Sequence, residues 1–143
     1  MGRKEGKKMN SGSAGQNKKK SFAFLEKNSK KAGVFETASG LQYEIVKVAT
    51  GEKPGESSNV TVHQRAMLLG GKILDDTYKE NKPMEFNLSD VIDGYREGLM
   101  MMSAGSRYRL FVPPELGWGK KGSGGRIGPY AVVVFDVALI EFY

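Results

Sequence analysis

Apolar and polar residues alternate along much of this chain, and the alternation changes period once. Leu41, Tyr43 and Ile45 set against Gln42 and Glu44 predict a strand over Leu41–Val48, because side chains two apart share one face of a sheet. Val60–Leu69 predicts a second strand, which Gly70-Gly71 turns into a third around Lys72–Leu74, a hairpin signal. Met84–Phe86 is a brief strand. Arg107–Val112 is another, ended by Pro113-Pro114, which cannot donate to a sheet. Ala131–Phe142 is apolar on both faces, as expected of a strand in mid-sheet covered from both sides. Between these runs, Tyr95, Leu99 and Met102 recur at i, i+4 and i+7, the apolar face of one short helix that Ser103-Ala-Gly105 stops. Ser21–Lys31 predicts a second short helix with Phe22 and Leu25 on one side, too short to persist unless it packs. Asp75–Pro83 reads as a polar loop and Gly117–Pro129 as a long glycine-rich one. The sum is an α+β fold, a twisted antiparallel β-sheet wrapped around one short α-helix. With Tyr95 at the foot of that helix and Trp118 on the loop after a strand, a small apolar pocket with an aromatic floor is expected.

Charge separates the chain into a body and a tail. The net +6 lies in residues 1–20, where Arg3, Lys4, Lys7, Lys8, Lys18, Lys19 and Lys20 face only Glu5; acids and bases balance over the rest. Residues 1–20 have almost no apolar content to offset chain entropy and are expected to be a disordered basic tail. The run reads as a nuclear-import, nucleic-acid or acidic-surface patch, or as a solvated tail. It carries no aromatics among its lysines for base stacking, and nucleic acid is not expected as a partner. At 143 residues the chain makes one domain, taken as 39–143, behind a short helix and linker over 21–38. There is no Cys, which excludes disulfides and thiolate chemistry and fits a reducing compartment. No apolar run is long enough to span a membrane, and the N-terminus has charge without the apolar core of a secretory signal. A cytoplasmic location is therefore expected, with a nuclear one open through the tail.

Most candidate chemistry fails on spacing. Gly117-Trp-Gly-Lys-Lys-Gly122 matches G-x-G-x-x-G, but a phosphate site needs a helix to follow, and Ser123-Gly-Gly-Arg-Ile-Gly-Pro129 cannot be one. His63, the only histidine, has no nucleophile elbow to serve and reads as a structural strand residue. No His/Asp/Glu grouping has metal-ligand spacing, and no cofactor is expected. Met100-Met-Met102 reads as packing. Asp75-Asp76 at a strand end reads from spacing alone as a turn-forming pair.

Several segments together resemble the FKBP-type peptidyl-prolyl isomerases. They are Val60-Thr-Val-His63, Gly71-Lys-Ile-Leu-Asp75, Val91-Ile-Asp-Gly-Tyr-Arg-Glu-Gly98, Phe111-Val-Pro-Pro-Glu-Leu-Gly-Trp-Gly119, Gly125-Arg-Ile-Gly-Pro129 and Val134-Phe-Asp-Val137. The resemblance covers residues 39–143 in order. Phe24-Leu-Glu-Lys-Asn28, Gly33-Val34 and Ser39-Gly-Leu-Gln-Tyr43 further resemble the macrophage-infectivity-potentiator branch, without its dimerising domain, so a monomer is expected.

The resemblance implies a bent sheet around one helix and an aromatic cup that takes a proline ring. It places Tyr95 on the floor, where the family usually has Trp, and lines the cup with Val91 and Ile92. The Ile92 backbone N–H is the implied ligand donor. Met84, Phe86 and Phe135 become walls, Ile127 the flap contact and Asp75 the pocket carboxylate. Trp118 stands where a Tyr hydroxyl normally donates; an indole can donate but not accept. Asp75, Ile92 and Trp118 are thus the implied catalytic set. Gln64 replaces an aromatic of the lining, Leu74 a Phe before Asp75, and Gly128 the first of two flap prolines, which leaves fewer aromatic walls and a looser lid. The implied activity is cis–trans isomerisation of X–Pro bonds in protein folding. Proline-containing peptides are the implied partners, and rapamycin-type macrolides the implied inhibitors. The alternative is a catalytically weak module that captures proline-containing segments.

Overall fold

A computed structural model describes residues 14–143. The elements in chain order are α1 (Ala14–Asn28), β1 (Val34–Glu36), β2 (Gln42–Lys47), β3 (Asn59–Leu68), β4 (Ile73–Asp76), α2 (Thr77–Glu80), β5 (Met84–Asn87), α3 (Asp93–Met100), β6 (Arg107–Val112) and β7 (Val133–Phe142). The strands form one antiparallel sheet in the order β1-β2-β6-β7-β3-β4, with β5 also paired to β3. β3 is shared between two short partners because β5 takes its first half and β4 its second. The α+β arrangement follows the hydrophobic pattern.

Each long strand sends alternate residues to opposite faces. Val60, Val62, Gln64 and Ala66 of β3 turn inward, as do Tyr108, Leu110 and Val112 of β6 and Phe135, Val137 and Leu139 of β7. α3 lies across this inner face. Its Gly94 and Gly98, one turn apart, face β6 so closely that an added Cβ would come within 2.6 Å of Val112 and 2.4 Å of Leu110. Two missing side chains thus let the helix bury Tyr95, Leu99 and the following Met102 in the same core.

The outer face is closed by α1. Phe24 and Leu25 pack on Phe111, Val132 and Val134, with the Phe24 and Phe111 rings 5.9 Å apart. This cover is why β7 could be apolar on both sides. Asn28 donates to Gln42 Oε1 at 2.9 Å, and Gln42 Nε2 donates to the Leu25 carbonyl at 2.9 Å.

Several boundaries differ from the sequence reading. Residues 14–20, expected in the disordered tail, are helical; Asn17 donates to the Pro129 carbonyl at 2.9 Å, Ser21 to that of Tyr130 at 2.6 Å, and Lys18 lies over the Tyr130 ring. Lys18, Lys19 and Lys20, which helped suggest a tail, lie exposed on a docked helix. The rest of the expected tail, residues 1–13, lies outside the described residues. α1 ends at Asn28 rather than Lys31, with β1 soon after. The polar loop over Asp75–Pro83 begins as β4 and continues as α2, whose first turn is capped by the Asp76 carboxylate accepting from Lys79 N–H.

Candidate functional site

The inner face of β3, β5 and β7 meets the start of α3 around one ring. Tyr95 is 4 % exposed, stacked on Phe135 with centroids 4.4 Å apart and on Phe86 at 5.7 Å. Offset stacking between such rings adds about 0.5–1.5 kcal/mol beyond burial. Phe86, Val91, Ile92, Leu74 and Trp118 are half-buried and packed against the same cluster. Ile127, at 9 % exposure, belongs to the cluster itself. The structure therefore gathers most of the residues singled out in the sequence. Met84 shares the Phe86 face, being two residues away on β5, but is exposed and outside the cluster.

Ile92 is the residue that enters α3, with φ −63° and ψ 155°. Its carbonyl accepts from Arg96 N–H at 3.1 Å, while its own N–H has no acceptor among the described residues. A free backbone donor at the start of a helix is available to a ligand carbonyl. The Trp118 indole N–H likewise has no acceptor among the described residues.

One polar thread crosses the apolar floor. The Tyr95 hydroxyl donates to Gln64 Oε1 in a short bond, and Gln64 Nε2 donates to Asp75 Oδ2 at 2.8 Å. Gln64 is itself buried at 7 % exposure, whereas Asp75 is exposed. Desolvation holds the Tyr95 phenol well above the usual tyrosine range, with the charges of Tyr78 and Asp75 adding to it. The ring therefore stays a neutral donor.

The flap is the loop before β7. Ser123 and Ile127 exchange backbone bonds of 2.8 and 3.1 Å, and Gly122, at φ +69°, lets them close; a Cβ there would lie 2.1 Å from the Ile127 carbonyl oxygen. Arg126 reaches across to donate to the Leu74 carbonyl in another short bond. Arg126 escaped the sequence reading, although a lone cation beside the flap contact in a run of glycines was a usable signal.

Gly117–Gly122 runs into this hairpin and then β7, so no helix begins there. His63 lies on the outer face, Nδ1 2.9 Å from Thr77 Oγ1 and its ring stacked on Tyr78. Among the described residues there is no cluster of three metal-ligating side chains and no helix long and apolar enough to cross a membrane.

Comparison with known proteins agrees with this geometry. Residues 50–140 match the model of FKBP-type peptidyl-prolyl cis-trans isomerases, and residues 2–45 match that of the domain amino-terminal to such isomerases. The outer membrane protein MIP of Legionella longbeachae is 44% identical over 90% of this chain and 55% of its own length. The peptidyl-prolyl cis-trans isomerase Mip of Coxiella burnetii is 40% identical over 87% of this chain and 54% of its own. The chain thus spans about half the length of the curated relatives it matches. The crystal structure of FkpA from Escherichia coli superposes with a TM-score of 0.85 at 38% identity, covering 90% of this chain and 60% of that one. A peptidyl-prolyl cis-trans isomerase structure from Pseudomonas syringae gives 0.84 at 30% identity, covering 92% and 96%. These relatives overturn the cytoplasmic expectation, since one of them is named an outer membrane protein. Neither the lack of Cys nor the charged composition of residues 1–20 excludes export. With a matching family model over most of its length and the fold to go with it, this chain belongs to the FKBP-type peptidyl-prolyl cis-trans isomerase family.

Proposed function

We propose that the chain catalyses cis–trans isomerisation of X–Pro bonds as an exported, monomeric folding helper. The observation that carries this reading is the buried Tyr95 ring, stacked between Phe86 and Phe135, beside the unpaired Ile92 N–H. An amide resists twisting because resonance must be broken, at about 18–20 kcal/mol. In X–Pro the two planar forms lie close in energy, so the barrier alone makes exchange slow. The twisted transition state is less charge-separated than the planar amide. An apolar recess that strips water from it therefore favours twisting, while the Ile92 N–H holds a flanking carbonyl. Each ~1.4 kcal/mol removed from the barrier gives about tenfold in rate. Val91, Phe86, Phe135, Leu74 and Ile127 line the recess, Met84 its rim, and Gln64 its polar edge. Asp75 and Trp118 offer polar contacts to the twisting peptide. Rapamycin-type macrolides compete for the same recess.

The test is the rate at which a proline-containing peptide equilibrates, with and without a macrolide. Catalysis abolished by the drug is expected; wild-type rates equal to the uncatalysed one would contradict the reading. A binding-only module is favoured by one observation, the polar Gln64 amide buried against the floor ring, which makes the recess less apolar. Saturable peptide binding without turnover would select it.

A further inference from the structure

We infer that Gln64 is a positioning residue that holds the Asp75 carboxylate in register with the aromatic floor. The inference rests on the isomerase reading of the site. Gln64 sits on the inner face of β3 with Asp75 diagonally across on β4, since Asp75 pairs with Ala66. Its amide has one workable orientation. An ionised carboxylate only accepts, so the Gln64 NH2 must face Asp75 Oδ2, 2.8 Å away, and the amide oxygen must turn to Tyr95. The Tyr95 hydroxyl then has to donate, as a phenol kept neutral by burial does. The chain of bonds therefore has a direction, from ring to amide to carboxylate.

The backbone of Gln64 is clamped as well. Its N–H donates to Thr77 Oγ1 at 2.8 Å, and the Thr77 hydroxyl lies 3.3 Å from its carbonyl oxygen. With main chain and amide both fixed, Gln64 behaves as a rigid spacer between floor and rim. Asp75 Oδ1 is left without a partner among the described residues, available to a peptide group entering the recess. The other charged and titratable groups around Asp75 are few. Arg126 of the flap holds the Leu74 carbonyl beside it. Asp76 follows it in sequence and is paired with Arg65, 3.2 Å away. Tyr95 and Tyr78 interact electrostatically with each other, and Tyr95 with Asp75. A glutamine that counts as a lost aromatic wall in the sequence thus supplies the carboxylate's hydrogen-bond donor.

Two variants test this. Gln64→Leu keeps most of the bulk and removes the donor; Gln64→Glu keeps the shape and sets a second carboxylate against the first. The Asp75 carboxyl carbon resonance is followed by NMR at fixed neutral pH, and peptide isomerisation is measured in parallel. Losing the Gln64 donor should displace that resonance from its wild-type position in both variants. In Gln64→Leu, kcat should fall about five- to tenfold with KM within about twofold, and adding Asp75→Asn should cost nothing further. An unchanged Asp75 resonance in natively folded Gln64→Leu, whatever its turnover, would overturn the inference. An inactive wild type would instead defeat the isomerase reading, while the resonance still reports on Gln64.

Discussion

Phe135 and Asp136 are neighbours on β7 and serve opposite faces of the sheet. Phe135 turns inward to stack on Tyr95, on a face whose one polar thread runs through Gln64. Asp136 turns outward, 4 % exposed, into a network of charges. Arg107 grips it through two bonds of 2.8 and 3.1 Å, and Arg109 lies 3.5 Å away while also reaching Glu44. Tyr78 adds its hydroxyl at 3.5 Å, with the Arg107 guanidinium over its ring. Beyond this network, Phe24 and Leu25 of α1 seal the apolar part of the same outer face. One face is apolar and only lightly bonded, as the proposed recess requires; the other is tied down. Activity and stability should therefore respond to different residues only one position apart.

The sharpest break is Tyr95→Ala. Removing the floor should lower kcat/KM for an X–Pro peptide by about a hundredfold or more, roughly 2.7 kcal/mol of barrier. It should also cost stability, about 3–5 kcal/mol for a large buried ring, so a denaturation curve must accompany the rate.

Asp136→Asn should cost stability and leave activity in place. Leaving two arginines without their carboxylate should cost about 1–3 kcal/mol of stability, less than a fully buried pair because both are some 40 % exposed. The isomerisation rate should stay within about twofold. Its pH signature follows from the bonds. Burial pulls the Asp136 carboxyl upward, but Arg107 and Arg109 outweigh it and hold the group below the ordinary carboxylate range. The folded value lies below the unfolded one, so this stabilisation is complete above about pH 3.9 and is lost as pH falls through the lowered folded value. Thermal melts in acid should show wild type and Asp136→Asn converging.

Gly122→Ala sharpens the comparison on the pocket side. A methyl at φ +69° and 2.1 Å from the Ile127 carbonyl forces the flap open or askew. Isomerisation should slow by about three- to tenfold while the melting curve moves little, since Ile127 is the one buried residue of residues 122–128. Smallest is Phe24→Ala on the outer seal, which should cost about 1–2 kcal/mol of stability from a half-buried ring and leave turnover unchanged.

The sequence carried the sheet, the single inner helix and the floor residue because each rests on periodicity and close spacing. Tyr95, Leu99 and Met102 could be placed on one helical face without knowing what that face met. The paired glycines of α3 explain why that face fits so tightly, but only against Leu110 and Val112, a contact far away in sequence. The helical state of residues 14–20 could not be read locally, since Asn17 and Ser21 find their partners at Pro129 and Tyr130. Met84 is implied as a wall by the resemblance alone; its exposure is a property of the assembled sheet. Gln64 was legible as a departure and not as a bonded spacer, because its two partners come from α3 and β4.

The central claim is that the recess floored by Tyr95 accelerates rotation about the X–Pro bond, independently of the outer face. Exchange NMR on one proline-containing peptide, with wild type, Tyr95→Ala and Asp136→Asn each verified as folded, measures it directly. The account predicts rapid cis–trans exchange with wild type and Asp136→Asn and near-uncatalysed exchange with Tyr95→Ala. Equal exchange rates with wild type and Tyr95→Ala would contradict it.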